Sequence, residues 1–474
     1  MNANSPIKAG PLTAGPMHAP LTADHAHVPS LGDSHARLDR LAELSQRLLD
    51  RCRERGASQA EVSCSEESGL NVNVRMGAVE TVEATRDRGI AVTVYFGRRK
   101  GSASTADLRE DSLDATVEQA CAIARFTEDD AAAGLADAAL MATDLREFDS
   151  WHPWALDADH AIELALACES AGRAHDKRIE NSDGASVGSG QSVGVYANSH
   201  GFVGRERSTQ HSLGCALIAG RGDGMQRDGW YSIGLAAEDL ESAATIGRKA
   251  AERAVSRLAP RQIATGDYPV LFAAEVARSL IGHLLGAVSG GALYRRASFL
   301  LDSVGTQLFP DWFKIDELPF LPRGFRSSCY DAEGVATRES SLVTDGVLQR
   351  YVLGSYSARK LGLSSTGNAG GVHNLQVAAN AGDLDAMVRS MGRGLLVTEL
   401  MGQVVNTITG DYSRGAAGFW VEDGQRQYPV DGITIAGNLK SMFRAIEAVG
   451  SDVDPRSHIH VGSILLGKMT VAGE

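Results

Sequence analysis

Residues 270–286 (VLFAAEVARSLIGHLLG) run from a short apolar strand into a helix, and a hydrolytic metal would be sought first at this junction. A zinc peptidase helix carries two histidines about one turn apart with a glutamate beside the first. The helical repeat then aims both imidazoles at one ion while the carboxylate reaches its water. Here only His283 is in place, and a lone histidine flanked by Leu280, Leu284 and Leu285 reads as a hydrogen-bonded core residue rather than a ligand. The exception is His458-Ile-His460, because residues two apart on a strand share a face and offer two imidazoles to one ion. With His283 or His373 they would complete a metal site; the competing reading is a solvated or interfacial strand.

Gly367-Asn-Ala-Gly-Gly-Val-His-Asn374 has the glycine content of a phosphate cradle but lacks its GK[ST] ending, so it reads as a turn-rich segment. Backbone exposed around Gly370 and Gly371 could instead pair with an extended peptide, a mode that needs no particular side chain. Ser413 stands between Tyr412 and Arg414, yet there is no nucleophile elbow and no histidine in a triad arrangement, which excludes an ordinary serine hydrolase. Tyr412, Arg414, Phe419 and Trp420 read as hairpin packing or as part of a subunit interface, where large aromatics and arginine concentrate. Tyr294-Arg-Arg296 is a second interface candidate, against the plain reading of a solvated surface.

Acidic residues outnumber basic ones by 59 to 46 in a chain of 474, a net charge of -13, which works against a large phosphate-neutralising surface and hence against generic nucleic-acid binding. The six cysteines form no CxxC pair and no regular spacing, so neither a disulfide framework nor a zinc ribbon is indicated and a reducing cytoplasm fits best. No apolar run is long enough to cross a bilayer. Glycine at 52 residues with only 6% aromatics points to many tight turns between short strands.

The elements that must position these residues are legible in the periodicity. Residues 1–35, with Pro6, Pro11, Pro16, Pro20 and Pro29 and no apolar repeat, read as a disordered tail; its His18, His25, His27 and His35 are too irregularly spaced to suggest a metal site. Leu38, Leu41, Leu44, Leu48 and Leu49 predict a helix, followed by a glycine-punctuated antiparallel meander and a helix at about 110–125 capped by Asp111 or Ser112. The order repeats: a helix at 157–175, strands over 178–237, and a helix at 238–257. Trp151, Pro153 and Trp154 pin the linker between the two units to a neighbour. Ala259-Pro260 opens the third part, with strands at 340–353, 394–400, 403–410, 416–430 and 461–471 and hairpin turns at Thr344-Asp-Gly346 and Glu422-Asp-Gly424. The expectation is an α+β fold: antiparallel meanders flanked by helices over 36–150 and 151–260, then a glycine-rich, mainly β domain with a few helices over 261–474.

Six strings in that last domain are long and ordered: Ala287-Val-Ser-Gly-Gly291, Phe299-Leu-Leu-Asp-Ser303, Leu353-Gly-Ser-Tyr-Ser-Ala-Arg-Lys-Leu-Gly-Leu363, Ser365-Thr-Gly-Asn-Ala-Gly-Gly371, Val397-Thr-Glu-Leu-Met-Gly402 and Gly410-Asp-Tyr-Ser-Arg-Gly-Ala-Ala-Gly-Phe-Trp420. Through them the chain resembles the TldD/PmbA family, in its PmbA or TldE branch, over roughly 36–474. The resemblance implies a cytoplasmic proteolytic complex in which a TldD-like subunit carries zinc on an HExxxH helix and acts on unfolded peptides. Position by position it places Arg278 at the first histidine, Ser279 at the glutamate and His283 at the second histidine. The C-terminal cysteine expected of the TldD branch is missing as well, since the last cysteine here is Cys329. One imidazole cannot hold a catalytic zinc, and serine is no carboxylate base at neutral pH. The chain is therefore expected to hold no cofactor of its own, to wall a peptide channel beside a zinc-bearing TldD partner, and to be active as a metalloprotease only with that partner. Self-pairing of the isolated chain stays open on base rates. Two rivals remain: a non-proteolytic binding protein acting on a gyrase or toxin-antitoxin system, and a self-sufficient metallopeptidase using His283, His458 and His460.

Overall fold

The computed structural model describes residues 32–473; His18, His25 and His27, with most of the expected tail, lie outside them. The first half contains α1 (Ser34–Glu54), β1 (Gln59–Arg75), β2 (Ala78–Phe96), β3 (Arg99–Thr105), α2 (Glu110–Phe126), α3 (Ala158–His175), β4 (Ile179–Asn198), β5 (Val203–Ala219), β6 (Gln226–Gly234) and α4 (Ala243–Ser256). The strands form one antiparallel sheet in the order β3-β2-β1-β4-β5-β6. The two expected units are thus one body, joined by β1 and β4, which pair from Glu61–Asn198 to Val74–Ala185.

One face of this sheet carries all four helices, in two side-by-side cores. Because strand side chains alternate, even-numbered residues of β1 serve both. Val62 and Cys64 pack under α1 and α2, whereas Leu70, Val72 and Val74 pack under α3 and α4. Between the cores runs a polar belt of Glu66, Ser68, Ser189, Gln191 and His211, all buried. The linker crosses the belt: Thr209 N donates to Ser150 O at 2.9 Å, Trp151 packs on the first core and Trp154 on the second. His211 joins belt to linker, with Nδ1 3.0 Å from Ser189 Oγ and Nε2 2.9 Å from His152 O.

Local capping differs from expectation at two helices, in the cap of one and the start of the other. Glu110 and Asp111 already lie in the first turn of α2, where acids suit the dipole, so the N-cap is Arg109, without a side-chain cap bond, rather than Asp111 or Ser112. The helix expected from 238 begins at Ala243, because Ser242 accepts a hydrogen bond from Thr245 N and residues 237–239 form a separate turn.

The second half contains β7 (Gly266–Phe272), α5 (Ala274–Val288), α6 (Gly290–Tyr294), β8 (Ile315–Glu317), β9 (Ser340–Thr344), β10 (Val347–Leu348), α7 (Ser355–Leu361), β11 (Leu375–Val377), α8 (Leu384–Met391), β12 (Gly394–Val405), β13 (Asp411–Glu422), β14 (Gln425–Asn438), α9 (Leu439–Arg444), β15 (Ile446–Val449), β16 (Ile459–His460) and β17 (Ile464–Ala472). Strands β14-β13-β12-β7-β17 close into a ring through the β14–β17 pairing, with β15 on the outer edge of β17, while β10-β9-β8-β11-β16 form a smaller sheet. Both expected hairpin turns form, with Asp345 and Gly346, and Asp423 and Gly424, in the left-handed region that a type I′ turn requires. The stretch expected as strand 403–410 is interrupted, since the Asn406 carboxamide accepts from Ile408 N and Thr409 N and turns the chain between β12 and β13. None of the helices among the described residues is long and apolar enough to cross a membrane.

Helix α4, which carries Lys249 and Arg253 to the site described below, is set by a glycine contact with α3. A Cβ on Gly247 would lie 2.1 Å from the Cys168 carbonyl oxygen, and one on Gly172 would lie 2.7 Å from the Gly247 carbonyl oxygen. Gly247→Ala should therefore lower the unfolding free energy by about 1–3 kcal/mol despite alanine's better helix propensity. Urea denaturation checks this, and an unchanged midpoint would contradict the close approach.

Candidate functional site

Helix α5 buries Ala277, Leu280, Ile281, Leu284 and Ala287; Glu275, Arg278 and Ser279 lie away from that stripe, and His283 turns toward Tyr412 of β13. Ser279 Oγ donates to Val276 O at 2.7 Å, so its hydroxyl is used within the helix. Arg278 reaches Asp454 Oδ2 at 3.8 Å and donates to Tyr231 Oη at 3.3 Å. Burial, with the nearby charge of Arg414, holds His283 below the usual imidazole range, and its ring stands edge-on to Tyr412 at 5.8 Å.

Arg278 belongs to a charged lattice at the wall of a cleft of about 900 Å³ between the first sheet and the third domain. At its centre the Trp230 indole lies under Arg456 at 4.0 Å, Lys249 at 4.8 Å and Arg253 at 5.4 Å, and its Nε1 donates to Glu241 at 2.8 Å. Arg456 also covers Tyr231 at 4.4 Å. Its Nε and Nη2 grip Asp454 at 2.8 and 3.0 Å, and Nη2 lies 3.4 Å from Glu275. Arg253 bridges Glu275 at 2.8 Å and Asp228 at 2.9 Å. Burial pushes Asp454 up, but Arg456 and Arg278 outweigh it and keep the carboxyl below its ordinary range. Asp228, Glu241, Glu275 and Asp454 each already have a guanidinium or ammonium partner.

The glycine-rich loop is likewise occupied from within. Glu317 is 2% exposed and sits where a bound anion would sit. It accepts from His373 N at 2.6 Å, His373 Nδ1 at 3.0 Å and Asn368 Nδ2 at 2.8 Å, and pairs with Arg350. Ala369 N donates to the buried Asp331 at 2.8 Å. Gly371 is half-buried at φ +111° and Gly370 exposed at φ +88°, so the backbone exposed at this loop is confined to its tip.

The other residues singled out by sequence are distributed differently. His458 precedes β16 and is influenced by His460, His373 and Arg326, whereas His283 faces Tyr412 and Arg414. Among the described residues no three His, Cys, Asp or Glu side chains gather closely enough to hold a metal, so the site imagined from His283, His458 and His460 does not assemble. Consecutive strand residues point oppositely: Phe419 lines the cleft and Trp420 is buried against Tyr268 at 5.1 Å. Sequence reasoning missed Trp230, Arg253, Glu275, Asp454 and Arg456. Their only linear signals, the Trp230-Tyr231 pair and the closely spaced Asp454 and Arg456, give no hint that elements more than two hundred residues apart meet.

The three parts of the chain correspond to the three domains of one known family. The family models described as PmbA/TldA metallopeptidase domain 1, central domain and C-terminal domain match residues 60–124, 151–258 and 265–473. The chain belongs to the PmbA/TldD metallopeptidase family, and within it to the PmbA branch. It is 50% identical over 415 residues to Metalloprotease PmbA of Escherichia coli O157:H7, covering 88% of this chain and 92% of that protein. It is 48% identical over 419 residues to the Metalloprotease PmbA homolog of Haemophilus influenzae, covering 88% and 93%. The crystal structure of a Bacteroides thetaiotaomicron protein described as a modulator of DNA gyrase superposes with a TM-score of 0.87 at 27% identity, covering 92% of this chain and 99% of that one.

Burial, reinforced by Arg326, His460 and His373, pushes His458 down to about 4 from an ordinary 6.5. The unfolded chain then takes up a proton that the folded one refuses, so this histidine withdraws stability as pH falls from 6.5 toward 4. Burial pushes Asp331 up to about 6, and that group acts oppositely because its folded form binds the proton first. A single substitution isolates the first effect: His458→Gln should gain about 1–2 kcal/mol relative to the parent between pH 7 and pH 4, solvent screening of the half-buried ring reducing the full effect. Denaturant unfolding at the two pH values checks it, and a constant difference would contradict it.

Proposed function

We propose that this chain is the PmbA/TldE-like subunit of a TldD/TldE-type metalloprotease complex that acts on unfolded peptides, and that it lacks a zinc site and serves as partner and channel wall. The observation that carries this reading is Arg278. It stands where the family resemblance puts the first histidine of HExxxH, and it pairs with Asp454 and Tyr231 instead of presenting a lone pair. A guanidinium is donor-only and always charged, so it repels a divalent ion that would need three protein ligands. Glu275, in the first turn of that helix, and Asp454, which faces Arg278, are held by Arg253 and Arg456.

Two surface features favour a partner and an extended substrate. Met401, Val404 and Ile408, at 39%, 70% and 60% exposure, put three apolar side chains in water at the end of the β12–β13 hairpin. Strand β12 pairs with β7 only over Leu395–Val397, so among the described residues the same edge of Thr398–Val405 is unpaired by any strand. An extended peptide can add there through main-chain hydrogen bonds. The zinc belongs to the TldD-like companion in this reading.

Mixing the purified chains tests it. Alone, this protein should leave unfolded peptides intact; with a TldD-type companion, hydrolysis should appear and should stop on adding a chelator. Hydrolysis by the isolated chain, or a companion whose activity is the same without it, would overturn the reading.

A further inference from the structure

Buried polar atoms are almost always hydrogen-bonded, so adjacent exceptions mark a missing partner. Three occur together beneath α5: His283 Nε2, Tyr412 Oη and Arg414 Nε are all buried without a partner. Tyr412 is 1% exposed, and the His283 ring meets it edge-on at 5.8 Å. Tyr412 and Arg414 are two apart on β13 and therefore share a face, and the charge of Arg414 acts on both other groups. No side chain of the described residues supplies an acceptor to Arg414, whereas the largely buried guanidinium groups of Arg350 and Arg456 each hold a carboxylate.

The chemistry of the three groups fixes what is missing. Arginine has donors only, the phenol has a hydrogen to give, and an imidazole protonated at Nε2 adds a third. With all three groups donating, three donors and one positive charge suit a singly charged anion with two oxygens. A phosphate, with up to two negative charges, would be left half neutralised in a buried place. One residue before His283 and three after it, Gly282 and Gly286 leave the surface of α5 uncovered, since a Cβ on either would meet no atom within 4 Å.

We propose that His283, Tyr412 and Arg414 form a receptor for a carboxylate group, and that the group is borne by a peptide, either as its C-terminus or as an acidic side chain. The choice of a peptide as bearer rests on the function proposed above; the carboxylate site itself does not. The helix position that would have bound metal in a catalytic subunit then serves here to hold a substrate's charge.

The full chain, with its histidines labelled by nitrogen-15, is titrated with acetate and, separately, with a fluorescent pentapeptide in three forms: free C-terminus, C-terminal amide, and amide with an internal glutamate. Acetate should shift the His283 ring signals saturably, these being assigned by their loss in His283→Gln. The amide without glutamate should bind about tenfold more weakly than the free acid, the worth of one charge-assisted hydrogen bond. Retained affinity in the glutamate form assigns the site to acidic side chains, and its loss assigns it to the C-terminus. Tyr412→Phe and Arg414→Gln should each erase the difference between acid and amide. Should Arg414→Gln fail to fold, Tyr412→Phe, which removes a single hydroxyl, still decides. Acetate shifts without binding of any peptide form would keep the carboxylate site and reject the peptide as bearer. No saturable shift by acetate, or a difference between acid and amide that survives Tyr412→Phe, would overturn the site.

Discussion

The contact on which the molecule's function-bearing region depends is the Arg456 guanidinium, stacked on Trp230 and Tyr231 from the first sheet and bonded to Asp454 and Glu275 of the third domain. Both Arg456 and Asp454 are almost fully buried, so removing either charge would strand the other in a poorly solvated place. Such a pair adds little net stability compared with apolar packing, but it admits only one arrangement of its surroundings. That arrangement fixes where β6, α4 and the first turn of α5 meet. It also consumes the carboxylates beside Arg278. An ion-pair lattice and a metal centre compete for the same oxygen atoms, and here the lattice has them.

The third domain repeats this solution elsewhere. Its glycine-rich loop wraps the carboxylate of Glu317 much as such loops wrap phosphates, with a backbone N–H, an amide, an imidazole and a guanidinium as donors. These donors are spent internally and fasten β8 to β11. Against this background of matched charges, Arg414 has no acceptor among the described side chains.

Much of the fold was legible because it rests on local signals. The leucine spacing from Leu38 to Leu49 wrote α1, and Asp-Gly pairs wrote two hairpins, since only such residues take the left-handed turn conformation without strain. The fusion of the first two units was not legible. It arises from β1 pairing with β4 more than a hundred residues away, and alternation reveals which face of a strand is buried but not which strand lies beside it. The closure of the ring by β14 and β17 was hidden for the same reason. At the site, the departure of Arg278 and Ser279 from a metal-binding pattern was readable in the linear spacing. What those residues do instead was not, because Trp230, Glu275 and Arg456 are brought together only by the packing of separate elements.

The account turns on the outer face of α5 having exchanged metal ligands for an ion-pair lattice. Equilibrium dialysis of the isolated chain against buffered zinc, compared with His283→Gln, tests this most directly. The account predicts that the parent retains no more zinc than the variant, because His283 contributes to no metal site. One equivalent of tightly held zinc in the parent, lost when His283 is replaced, would contradict it.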